Sequence, residues 1–164
     1  MRYQLKILVL AFISTLTLSA NASTWKYLNG AYSNESIFYF DADSMVKANN
    51  SVTVWVKYVK KYNSPDKDGA FSVASKVTYY CSSKQYKVLT TASYDKAKNY
   101  LSSANIPTSL WDVVPDTIND LIIKDVCLST FPQSMAPVIN NDIYKATSDY
   151  FDYLDAAKYD SAPR

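Results

Sequence analysis

Residues 51–62 read Ser-Val-Thr-Val-Trp-Val-Lys-Tyr-Val-Lys-Lys-Tyr, and residues 70–81 read Ala-Phe-Ser-Val-Ala-Ser-Lys-Val-Thr-Tyr-Tyr-Cys. The first run sets Val52, Val54, Val56 and Tyr58 on one side and Ser51, Thr53, Trp55 and Lys57 on the other. A period of two marks a half-buried β-strand, so one face is expected in a core and the other mostly in water. The second run repeats the pattern with Phe71, Val73, Val77, Tyr79 and Cys81. Between them, residues 63–69 are Asn, Ser, Pro, Asp, Lys, Asp and Gly, a composition that turns the chain and makes the two strands a hairpin. Beyond Ser82 and Ser83, residues 84–94 alternate again, with Tyr86, Val88, Ala92 and Tyr94 on one side. Residues 25–28 and 36–41 are expected to be shorter strands upstream, parted by turn residues 29–34. The short connections imply an antiparallel meander.

The period then changes. Pro115, Asp116 and Thr117 precede Ile118, Leu121, Ile122 and Val126, a three-and-four spacing with an acidic start that predicts an amphipathic helix ending near Cys127. Pro132 and Pro137 make the next stretch an extended connector. Asn141 or Asp142 can cap a last helix in which Ile143, Tyr150, Leu154 and Ala157 share a face. That face can dock on its own sheet, the plainer reading, or on a second copy of the chain.

The N-terminus reads as an address. Arg2 and Lys6 precede an apolar-to-hydroxyl stretch, residues 7–18, and then small residues that place cleavage between Ala22 and Ser23. Twelve residues give roughly 18 Å of helix, short of a bilayer's roughly 30 Å core, so a secretory signal is expected and no membrane span in the mature chain. Removing Arg2 and Lys6 from 17 bases leaves 15 against 15 acids. The apparent basicity belongs to the leader, and Arg164 is then the only arginine. Nucleic acid, which selects clustered Lys and Arg, is not an expected partner.

In an exported chain the two cysteines, Cys81 and Cys127, read as a disulfide, and one pair has one connectivity. The bond would pin the helix to the sheet and give an α+β domain: about five to six antiparallel strands packed by a stapled helix, with a further C-terminal helix. The absence of Cys-x-x-Cys spacing argues for a staple rather than redox work.

Chemistry is excluded more easily than assigned. There is no histidine, which removes Ser-His-Asp and Cys-His catalysis and His-dependent metal sites. Two glycines cannot supply a dinucleotide fingerprint or a P-loop at the required spacing. No cofactor, metal or catalytic set is expected. Asp66, Asp68 and Gly69 resemble half of a calcium loop, but Val77 stands where the closing glutamate belongs, so a hairpin turn is the better reading. Asp41 and Asp43 are read as turn or cap residues rather than an acid-base pair. The candidate binding surface is a mixture of cations and amphipathic rings, Lys57, Tyr58, Lys60, Lys61 and Tyr62 on one strand with Lys84, Tyr86 and Lys87 on another. Lysines on a strand's wet side also resist edge pairing, and that alternative stays open.

The order of landmarks then gains meaning. Trp25, Tyr39-Phe40-Asp41, Ser44-Met45, Val52-x-Val54-Trp55-Val56, Tyr80-Cys81, Tyr94, Trp111-Asp112-Val113-Val114-Pro115 and Val126-Cys127 together resemble the surface-adhesin protein E family of Gram-negative bacteria. The resemblance covers roughly residues 25–127 and rests on order and spacing, with both cysteines in register. It implies an antiparallel sheet with a packed helix, a disulfide between Cys81 and Cys127, and a possible homodimer. It also implies binding of protein ligands such as laminin and vitronectin, and no enzymatic activity. The expected organisation is a signal at 1–22, the adhesin-type domain at 23–130, and a connector with the last helix at 131–164. Location is expected in the periplasm, at the cell surface or outside, and the alternative function is an envelope-interaction protein with no host ligand.

Overall fold

A computed structural model of the chain describes residues 23–32, 35–61, 66, 68–106, 109–128 and 142–160. The expected leader, Tyr62 and the proline connector fall outside these residues. The sheet runs β1 (Trp25–Tyr32), β2 (Ser36–Ala48), β3 (Ser51–Lys60), β4 (Ser72–Tyr80), β5 (Gln85–Tyr94) and β6 (Tyr100–Asn105) in sequence order, every neighbour antiparallel. A two-residue strand, β7 (Trp111–Asp112), joins the outside of β5 beyond the end of β6. The helices are α1 (Ile118–Cys127) and α2 (Ile143–Asp160). The meander, the stapled helix and the last helix are as the alternation and spacing predict.

Short connections set the register. Ala48 pairs with Ser51 across a two-residue loop whose first residue, Asn49, has φ of 46°, a conformation asparagine tolerates better than most residues. At the next hairpin, Gly69 takes φ of 77° and donates to the Asp66 carbonyl at 2.8 Å, the turn its composition requires. The carboxylates of Asp41 and Asp43 are also local. Asp41 Oδ1 accepts from the Asp43 N–H and Asp43 Oδ2 from the Thr24 N–H, both at 3.1 Å, where β2 bulges between Asp41 and Val46.

Each face of the sheet carries a helix. On the first, Phe40, Val52, Val54, Val56, Val77 and Tyr79 meet Ile122, Ile123 and Val126 of α1. Burying three such side chains from one helix contributes on the order of 1.5–3 kcal/mol each. The disulfide from Cys81, just past β4, to Cys127, the last residue of α1, spans 5.7 Å between Cα atoms.

The second face differs from its expected wet character at the end where β3 finishes. Ile37, Tyr39, Val59 and Phe71 form a second core with Ile143 and Phe151 of α2, and Trp25, Tyr27 and Tyr144 pack around it. Residues of opposite parity on β2 and β3 thus serve two cores, which single-face alternation does not anticipate. The last helix docks on its own sheet, capped by Asp142, whose Oδ1 accepts from the N–H groups of Tyr144 and Lys145 at 3.0 and 3.3 Å. A second correction concerns β5. Val88 pairs with Val77 but Thr90 with Lys76, so Leu89 is an extra residue, and Ala92 and Tyr94 lie on the face opposite Tyr86 and Val88.

Candidate functional site

The structure divides the candidate binding residues. Lys57 and Tyr58, adjacent on β3, point to opposite faces. Lys57 is turned inward, 9% exposed, beneath α2. Its Nζ donates to the Tyr144 hydroxyl at 2.8 Å and lies 4.6 and 4.8 Å from the ring centroids of Tyr94 and Tyr144, with Trp25 at 5.8 Å. A cation over π-faces in a partly desolvated site is attracted by the rings' quadrupoles, so Lys57 is an anchor for α2 rather than a surface contact. The Tyr144 hydroxyl also bonds Ser72 Oγ at 2.9 Å, tying the helix to β4.

Lys60 and Lys61 are likewise engaged within the fold. Lys60 pairs with Asp66, whose other oxygen accepts from the Tyr58 hydroxyl at 3.2 Å. Burial and this carboxylate together push the Tyr58 phenol up to about 12. Lys61 pairs with Asp155 of α2 at 2.6 Å and lies 5.7 Å from the Phe151 ring. Lys84 and Lys87 sit at the other end of the sheet. Lys87 pairs with Thr78 and Thr78 with Thr53, seven residues along β3 from Lys60, or about 23 Å at strand rise. One continuous lysine-tyrosine surface is therefore not formed. Of its second half, Lys84 is exposed in the turn before β5, Tyr86, stacked on Tyr79 at 6.1 Å, pairs with Trp111 of β7, and Lys87 points to the opposite face from Tyr86.

Beside the start of α1 an open groove of about 360 Å³ has Val56, Val73, Val77 and Val88 in its lining, with Tyr58 and Tyr79 among the aromatic rings there. Both phenols are bound to protein partners, Tyr79 donating to Asn119 Oδ1 at 3.0 Å. The groove therefore offers chiefly apolar contacts. Among the described residues no cluster of three or more His, Cys, Asp or Glu side chains is placed to hold a metal ion. No described helix is long and apolar enough to cross a membrane.

The surface feature that sequence reasoning missed lies along β6 and β7. Nine large hydrophobic side chains stand exposed among the described residues, and six of them, Tyr100, Leu101, Ile106, Leu110, Trp111 and Val114, fall in one short segment. Exposed apolar side chains gathered at one sheet edge, rather than scattered over the surface, make that edge a candidate interaction surface. The signal in the sequence is the absence of any charged residue over 99–111, a stretch without regular alternation.

Fold and surface together define a disulfide-stapled α+β domain with a helix on each face and an apolar strip along one edge. The chain belongs to the surface-adhesin protein E family, whose sequence model matches residues 25–128, from the first strand to just past the end of α1. No curated protein and no solved structure matches it.

Proposed function

We propose that this chain is an exported, non-catalytic adhesin that binds host matrix or plasma glycoproteins such as laminin and vitronectin. Binding runs through the strip along β6 and β7, extended by Lys84, Tyr86 and Lys87 at its end. The carrying observation is the gathering of six exposed large apolar side chains on that strip, in a chain of the surface-adhesin protein E family. Aromatic anchors and a cationic rim are what protein interfaces use, the rings for desolvated contact area and the lysines for steering. Lys57, Lys60 and Lys61 have no part in the contact, because each is committed to the fold.

The test is to pass the mature chain, residues 23–164, over immobilised laminin and vitronectin. Saturable binding that falls at least about tenfold with Trp111→Ser supports the reading, since truncating an aromatic hot spot costs about 2 kcal/mol or more. Absence of saturable binding to either glycoprotein, with a periplasmic protein co-purifying instead, would move the chain to an envelope-interaction role.

A further inference from the structure

The two edges of the sheet are built differently. β1 is half buried along its described side chains, carries Lys26, and is tied down where the Thr24 N–H meets Asp43. At the opposite edge β6 is exposed along its whole length and has no charged side chain. Sheet edges are ordinarily defended by lysine, proline, a bulge or a covering element. β6 has a register shift at its start, between Tyr100 and Ser102, and then runs on regularly to Asn105.

Hydrogen-bond direction shows what this edge offers. The Ile106 N–H donates to the Leu89 carbonyl at 3.3 Å, so residue 106 turns its main chain toward β5. In an antiparallel ladder alternate residues do the same, which turns 104 and 102 inward and Ser103 and Asn105 outward. On β7 the Val113 N–H donates to the Lys84 carbonyl at 2.8 Å, which by the same alternation turns Asp112 outward. Ser103 and Asn105 thus hold two N–H donors and two carbonyl acceptors toward solvent, spaced about 7 Å apart. Such a row is complementary to the main chain of another extended strand.

We propose that β6 captures an extended segment of a partner polypeptide by strand addition. Ser103 and Asn105 supply the main-chain bonds, and Leu101, Ile106, Leu110 and Trp111 flank the added strand. An uncharged edge selects a segment that is itself uncharged, with β-branched or apolar residues at alternate positions, because a charge brought there would lose water without gaining a partner. This rests on the binding role proposed above and names its mode.

The test uses the mature chain and a synthetic eight-residue peptide of alternating threonine and valine, blocked at both ends, beside a copy methylated at alternate amide nitrogens. Amide hydrogen exchange is followed residue by residue. The unmethylated peptide is expected to slow exchange at Ser103 and Asn105 at least about tenfold, while the methylated copy does not. Ser103→Pro, at a position whose N–H the fold does not use, and Ser103→Lys, which leaves the backbone free, should each abolish the protection. Unchanged exchange at millimolar peptide would overturn the proposal. So would protection that rises with the chain's own concentration, which would give the edge to a second copy. Glycoprotein binding that persists and depends on Trp111 while the peptide fails would remove strand addition and leave the adhesin reading standing. Peptide capture without glycoprotein binding would do the reverse.

Discussion

The two faces of the sheet are covered by helices held in different ways. On the face of Val52, Val54 and Val56 the helix α1 is bound by apolar packing, one covalent bond, Cys81 to Cys127, and a polar contact from the Tyr79 hydroxyl to Asn119. On the other face α2 combines a smaller apolar core with polar pins: Lys57 among aromatic rings, the Tyr39 hydroxyl on Thr147 Oγ1 at 2.8 Å, Lys61 on Asp155, and Lys98 on Asp142 at 2.8 Å. Burial of hydrocarbon and a disulfide respond little to salt or mild pH, whereas charged and titratable pins respond to both. One helix is held mainly by contacts that ignore the solution, the other by several that depend on it.

The difference can be broken or sharpened experimentally. Replacing both cysteines, Cys81→Ser with Cys127→Ser, removes a cross-link over a sequence separation of 46 and should cost about 4 kcal/mol in denaturant titrations, equally at low and high salt. Equal midpoints for the two proteins would remove the staple from the account.

Next in size is an alkaline effect, to which Tyr39 contributes on the second face as Tyr58 and Tyr79 do on the first. Burial pushes the Tyr39 phenol up to about 12, only partly offset by its bond to Thr147. Below pH 10 both folded and unfolded chains keep this proton and stability is full. Between 10 and 12 the unfolded chain releases it and the folded chain does not, so stability falls by about 3 kcal/mol from this group. Tyr39→Phe should flatten that part of the pH dependence, at a cost of about 1 kcal/mol at neutral pH. A variant with the same alkaline slope as the parent chain would contradict the assignment.

Smaller still is Asp142→Ala, which removes a helix cap and the Lys98 pair together and should cost about 1 kcal/mol. Lys98 holds the Asp142 carboxyl below the ordinary carboxylate range, helped by the N–H groups of Tyr144 and Lys145. That contribution is present above the ordinary carboxylate pKa and is lost as pH falls through the lowered value. Hydrogen exchange at the start of α2 should therefore quicken as the pH falls, a quickening that Asp142→Ala removes. Least is the Lys61–Asp155 pair, where a double-mutant cycle should read about 0.5 kcal/mol at low salt and nothing at 1 M, both side chains being partly in water.

The first face was legible in the sequence because its strands alternate cleanly and its helix repeats at three and four. The second was not, since its core is built from residues that read as the wet side: Lys57, Val59 and Ser72 on the strands and a helix rich in Tyr and Asp. Lysine in a strand signals solvent unless aromatic rings gather around it. Here they come from Trp25, Tyr94 and Tyr144, far apart in sequence. The reversal of Ala92 and Tyr94 depends on a single extra residue, Leu89, which no periodicity marks. β6 escaped notice because its exposed strand has no face to alternate against.

We propose that the faces hold the fold while the β6–β7 edge binds. This is tested most directly by measuring the affinity of residues 23–164 for immobilised vitronectin alongside Trp111→Ser and Lys61→Ala, with each variant's unfolding midpoint. Affinity that drops at least about tenfold for Trp111→Ser at an unchanged midpoint, and holds for Lys61→Ala, is the expected result. Affinity that holds for Trp111→Ser and drops for Lys61→Ala would place binding on the α2 face and contradict the account.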